Sequence, residues 1–162
     1  MPDRSRRLPT VALPAFLAVG GLSLTPLAPP EPPKPCHEPE SAAARGVCVA
    51  LDHYLQAHAT GQGAHAEAAF FTDARMVWVG DGEVSERPIQ EYIAGFRGQP
   101  ASDEARRERW VDYVDVAGDA AVAKIVLDYP GARIVDYMTL LRADGEWRII
   151  HKSFHAERKT GT

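Results

Sequence analysis

An α+β domain, with its helices packed on one face of a curved antiparallel sheet, is the fold that this 162-residue sequence predicts. Three observations carry the prediction. Helical periodicity is confined to the first half of the chain. Three β-branched and aromatic-rich runs, Ala120–Tyr129, Ala132–Ala143 and Glu146–Ala156, follow one another in the second half. The breaks between these runs and the strand before them are the turn dipeptides Gly118-Asp119, Pro130-Gly131 and Asp144-Gly145. Clustered helices followed by a long meander indicate layers of helix on sheet, not alternating βαβ units.

Taken in order, Val47, Leu51, Tyr54, Leu55 and His58 recur at helical spacing, with Ser41 as N-cap and Gly61 as stop. Ala64–Phe71 reads as a second, short helix that presents Phe70 and Phe71 at its end. Thr72-Asp73 reads as a turn, and Arg75–Gly80 as a central strand, apolar on both sides. Asp81-Gly82 predicts a hairpin that returns through Glu83–Glu86. Pro88 stands at the first position of a helix with the apolar face Ile89, Tyr92, Ile93 and Phe96, ending at Gly98. Gln99–Arg107 is a polar loop, and Glu108–Ala117 is the strand that feeds the meander.

The folded domain spans residues 41–157. Before it, Arg4, Arg6 and Arg7 precede the apolar run Val11–Leu24, so residues 1–25 read as a signal peptide, the alternatives being a disordered tail or an over-extended start. Ser5-Arg6-Arg7 is a partial twin-arginine pattern, with Leu8-Pro9 where apolar residues belong. The run is short and interrupted for a membrane span. Residues 26–40 are a proline-dense linker. Export to the periplasm or medium is the expectation, and a cytoplasmic protein the alternative. Under export, Cys36 and Cys48 could close a small loop; otherwise Cys48 is a small buried hydrophobe and Cys36 an incidental linker residue.

A composition of 45% hydrophobic and 25% charged residues is that of a globular domain, and a net charge of −4 offers no electrostatic footprint for nucleic acid. Arg106, Arg107 and Arg109 are offset by Asp103, Glu104 and Glu108. His53, His58 and His65 have no carboxylate at ligand spacing, so no metal site is expected. Gly-rich phosphate loops and nucleophile triads are absent from the sequence, and no motif asks for a cofactor.

The turn dipeptides also predict register. With two-residue loops, Ile125 opposes Asp136, Leu140 opposes Ile149, Met138 opposes His151, Asp136 opposes Ser153 and Ile134 opposes His155. Pleat alternation then puts Asp136, His151, Ser153 and His155 on the core face among Ile125, Leu127, Ile134, Met138, Leu140, Trp147 and Ile149. A carboxylate in such surroundings must pair, be protonated or reach water. Asp136 is therefore read either as a general base working with His155 or His151, or as a structural hydrogen-bond partner. Lys152 falls on the opposite face. That outer face, with Val122, Val126, Val135, Tyr137, Leu141, Ile150 and Phe154, is too apolar to leave in water and predicts a homodimer.

The strings GDAAVAKIVLDYPG (Gly118–Gly131), VDYMTLL (Val135–Leu141) and GEWRIIHKSFH (Gly145–His155), with FFTDARMVWV (Phe70–Val79), resemble the nuclear-transport-factor-2-like superfamily. Within it, the chain is similar to the branch known as putative lumazine-binding proteins. The resemblance covers about Val47–Ala156 and implies a cone-shaped fold, helices on the concave face of the sheet, a cavity at the open end and dimers paired through the outer sheet. It also implies a polar pocket residue at Asp73, for which a turn-capping role is the simpler account. Tyr54, Trp78, Phe96, Tyr129 and Trp147 are candidates to line a pocket for a small hydrophobic or aromatic ligand, or else ordinary core. Three functions remain open: a small-molecule-binding domain, a lyase or isomerase using an Asp–His pair, and an interaction domain with a filled core.

Overall fold

A computed structural model describes Cys36, Pro39 and residues 41–160. The proposed signal segment and most of the linker lie outside the described residues. The chain runs α1 (Ala42–Thr60), α2 (Gly63–Ala69), β1 (Phe70–Gly80), β2 (Glu83–Pro88), α3 (Ile89–Ile93), a 3₁₀ turn (Glu104–Arg106), β3 (Glu108–Ala117), β4 (Ala120–Tyr129), β5 (Ala132–Ala143) and β6 (Glu146–Arg158). The strands form one six-stranded sheet in the order β2-β1-β6-β5-β4-β3. All neighbours are antiparallel except β1 and β6, which run parallel.

Local chemistry sets the ends of α1. The Ser41 side chain accepts a hydrogen bond from the Ala44 N–H, and Gly61 closes the helix at φ +70°, donating to the Ala57 carbonyl. The buried stripe Val47, Ala50, Leu51, Tyr54 and Ala57 packs this helix on the sheet. Gly46 permits the approach, because a Cβ there would lie 2.4 Å from Trp147 Cδ1. The core is completed by Phe70, Ile89, Ile125, Leu127, Met138, Leu140 and Ile149. Cys36 and Cys48 are joined in a disulfide that ties the segment before the domain to α1.

Two expectations about this region are corrected. Helix α2 stops at Ala69, and Phe70 and Phe71 belong to β1, because Phe70 pairs with Ile149 of β6 and tertiary pairing overrides local helix tendency. Asp73 sits within β1, where the register against β6 shifts between Phe70 and Arg75. It is exposed and caps no turn.

The meander register holds up to one residue. Ile125 faces Asp136, Tyr129 faces Ala132 and Leu140 faces Ile149, as the turns require. Asp144 and Gly145, with φ of 52° and 82°, form the left-handed pair that a two-residue hairpin demands. Beyond Ile149 the register slips. Thr139 pairs with His151, Met138 with Lys152, Tyr137 with Ser153, Asp136 with Phe154 and Val135 with His155. Ile150 is the extra residue of a β-bulge, and everything after it changes face.

Candidate functional site

The bulge decides which side chains enter the cone. Asp136 projects inward from β5 as the alternation predicts, and it is 0% exposed. His151, Ser153 and His155 do not join it. His151 and Ser153 line a shallow groove of about 240 Å³ on the outer face with Tyr113, Val122 and Tyr137, and His155 is exposed. The Asp–His and Asp–Ser pairings expected from strict alternation are therefore not formed, since Ile150 inverts the second half of β6. Lys152 and Phe154, expected outside, face inward instead.

Asp136 is met by Lys152 and by Tyr54 from the buried face of α1. The Tyr54 hydroxyl donates to Asp136 Oδ2 at 2.6 Å, and Lys152 Nζ donates to Tyr54 Oη at 2.8 Å. Lys152 Nζ also lies 2.8 Å from Asp136 Oδ1, an ion contact without hydrogen-bond alignment. The ammonium sits 5.1 Å from the Tyr54 ring centroid, 5.4 Å from Tyr92 and 5.1 Å from Phe154. Such a box attracts a cation through the ring quadrupoles. Burial nonetheless pulls the Lys152 pKa below the ordinary lysine value, against the opposing pull of Asp136. Burial, followed by Tyr92 and Asp136, pushes Tyr54 well above the ordinary phenol value.

A second set of polar groups continues toward the open end. Tyr92 Oη lies 2.8 Å from His58 Nε2, and Tyr129 Oη lies 3.1 Å from His58 Nδ1. A neutral imidazole donates from one nitrogen and accepts at the other, so one tyrosine accepts and the other donates. His58 is held in that form. Burial first, and then the charges of Lys152, Arg109 and Arg107, lower its pKa to about 3. Tyr129 in turn carries the Arg107 guanidinium over its ring at 4.4 Å, and Arg109 at 5.6 Å. Arg107 pairs with Asp103 at 2.8 Å, while Arg109 makes a two-pronged bond to Glu104 at 2.6 and 2.9 Å.

His58 forms part of the floor of a cleft of about 500 Å³ at this end, together with Gly61, Phe96, Gln99, Ala101 and Arg107. Among the aromatic candidates, Phe96 lines this cleft, Tyr129 and Tyr54 belong to the polar network, and Trp78 stacks on Phe154 with centroids 5.7 Å apart. Trp147 lies at the other end of the meander, across from Arg142 and against Gly46. Asp73 is remote from the cluster, on the β1 irregularity.

His58 and Lys152 were not legible as site residues. His58 looks like one more helix histidine until Tyr92 and Tyr129, distant in sequence, are brought to its two nitrogens. A lowered His58 pKa has a measurable consequence. An imidazole with a folded pKa of about 3 against 6.5 unfolded contributes stability that is present above pH 6.5 and is lost as the pH falls toward 3. His58→Gln should flatten that part of the acid limb in urea denaturations taken from pH 7 to 3. Parallel acid limbs for parent and variant would refute the burial of a neutral His58.

Six strands curved around three helices, with polar groups gathered inside the cone, place this chain in the nuclear-transport-factor-2-like class. Solved structures agree. An NTF2-like protein of unknown function from Shewanella baltica OS155 superposes with a TM-score of 0.63 at 23% identity, over 70% of this chain and 92% of that one. One from Silicibacter pomeroyi DSS-3 gives 0.61 at 25% identity, over 70% and 94%. A protein described as a putative ketosteroid isomerase, from Shewanella frigidimarina NCIMB 400, gives 0.51 at 17% identity, over 70% and 98%, a likeness of fold alone. The family described as "putative lumazine-binding" matches residues 42–155, and the chain belongs to that family. Curated protein sequences yield no match.

Proposed function

We propose that this domain binds a small planar molecule in the cleft at the open end of the cone. The observation that carries the reading is the position of His58. Its ring is both part of the cleft floor and the hub joining Tyr92 to Tyr129. With both nitrogens occupied, the imidazole offers a ligand its ring surface beside Phe96, while Gln99, Ser102 and Arg107 supply polar edges. An aromatic floor with a few polar groups, in a cleft of this size, suits a drug-sized heteroaromatic compound. The family description names lumazine, a flat bicyclic compound of that kind. Proton transfer by an Asp–His pair finds no support, because no histidine reaches Asp136.

Titration with lumazine, followed by its fluorescence anisotropy, tests the reading. Binding should saturate, and Ala101→Trp, which fills the cleft, should weaken it by about tenfold or more with an unchanged melting temperature, since shape complementarity is lost without a core change. No saturation, or equal binding by Ala101→Trp, defeats the proposal.

The outer sheet supports a second element of the reading, pairing with another copy of the chain. Tyr137 is 56% exposed, Val122 46% and Leu141 39%, all on that face. Contiguous apolar surface of this kind marks an interaction site. Sedimentation should show a dimer for the parent and a monomer for Tyr137→Glu, because the new carboxylate would be stripped of water in the contact. A parent that stays monomeric at high concentration rules the dimer out.

A further inference from the structure

We infer that Lys152 is a carbonyl-reactive amine, and that Lys152, Asp136 and Tyr54 form a site at which a small aldehyde or ketone condenses to an imine. The inference is independent of what the open-end cleft binds. Lys124 and Lys159 are ordinary surface lysines paired with Asp112 and Asp128. Lys152 is the buried one among the described lysines, with 5% of its side chain exposed. Its nitrogen stands 2.8 Å from a carboxylate oxygen and 2.8 Å from a phenol oxygen. An amine flanked by a base and a hydroxyl donor is the set of groups that condensation with a carbonyl needs.

The layering gives the direction of approach. Tyr54 and Asp136, behind the amine, are fully buried. Two of the three rings around the ammonium, Tyr92 and Phe154, are partly exposed, as is Trp78, which stacks on Phe154. A small carbonyl compound displacing the Phe154 or Tyr92 edge therefore meets the nitrogen first, with the acid and base at its back. Burial also favours the uncharged amine, the form that has a lone pair to give.

The chemistry balances with these groups alone. Asp136 accepts a proton from the ammonium, and the nitrogen lone pair adds to the carbonyl carbon. The C=O π pair moves to oxygen, which takes a proton from Tyr54. The added nitrogen returns its proton through Asp136 to Tyr54, giving a neutral carbinolamine. Its hydroxyl then leaves as water with the proton that Asp136 took from the ammonium, while the nitrogen lone pair forms the C=N bond of a protonated imine. One carbonyl and one ammonium become one protonated imine and one water, with Asp136 and Tyr54 restored and no oxidant or reductant.

The test uses the full chain with acetaldehyde as probe and borohydride to trap the imine, followed by digestion and peptide mass analysis. N-ethylation of Lys152 should accumulate about tenfold or more faster at neutral pH than that of Lys124 or Lys159, since proton transfer by a positioned base and acid, here Asp136 and Tyr54, speeds such an addition by at least that factor. Asp136→Asn, checked for folding by circular dichroism, should abolish that excess and leave the two surface lysines unchanged. If modification instead follows exposure, with Lys152 labelled last or only in urea, the cluster is a structural ion pair and the inference is wrong. The parent protein alone decides this, even if the variant does not fold.

Discussion

Asp136→Ala is expected to cost the fold about 3–5 kcal/mol, because it strands the Lys152 ammonium inside an aromatic box with no countercharge. The loss should appear as a lower urea midpoint at an unchanged slope. Replacing both partners by apolar residues, Asp136→Leu with Lys152→Met, should restore the parent's stability or exceed it by about 1–4 kcal/mol, since neither charge then has to be desolvated. The single variant also carries a pH signature. Burial lowers the Lys152 pKa, so between its folded value and 10.5 the unfolded chain binds more protons, and the variant's stability should rise with pH across that window. A loss below about 1 kcal/mol would show that no charge is stranded.

Gly61→Ala should be nearly as damaging, by about 2–4 kcal/mol, for two reasons that a companion variant separates. Gly61 has φ +70°, and a Cβ there would lie 2.0 Å from the Gln99 carbonyl oxygen. Gly98 has a similar φ of +77° but open space around it, so Gly98→Ala should show the backbone penalty alone, about 1 kcal/mol. The excess at Gly61 measures how tightly α1 holds the wall of the cleft, since the Gly98 N–H donates to the Gly61 carbonyl at 2.8 Å. Gly61→Ala should accordingly weaken lumazine binding, and Gly98→Ala should spare it. Equal melting temperatures for the two variants would mean that the close approach to Gln99 does not limit the fold.

Much of this architecture is legible in the residues because the signals are local. Ser41 and Gly61 mark the ends of α1 by chemistry that acts within a turn, and the meander dipeptides set three strand pairings. Asp136 is legible as an inward carboxylate because β4 and β5 keep perfect alternation across from it. The partners of Asp136 are a different matter. Ile149 and Ile150 are both apolar and β-branched, so nothing in the string says that one of them is skipped, yet that skip exchanges histidine for lysine at the site. The boundary between α2 and β1 fails for a related reason. Pairing to β6 is a long-range event that Phe70 does not announce.

The bulge at Ile150 also bears on how such a domain changes over time. A point substitution alters one side chain at one place. A shift that drew Ile150 into the ladder opposite Thr139 would instead turn over the rest of β6, sending Lys152 and Phe154 outward and His151 and Ser153 inward together, whereas deleting Ile150 would leave all four where they are. The interior would trade an amine and a phenyl ring for an imidazole and a hydroxyl, while the outer face changed in the opposite sense, with no codon for any of those four residues altered. Loss of the bulge with Ile150 retained thus works as a coupled exchange between the chemistry inside the cone and the surface offered to another molecule. Among relatives of this chain, the pairing at this position, bulged or in register, is a more telling character than the identity of any aligned side chain beyond it.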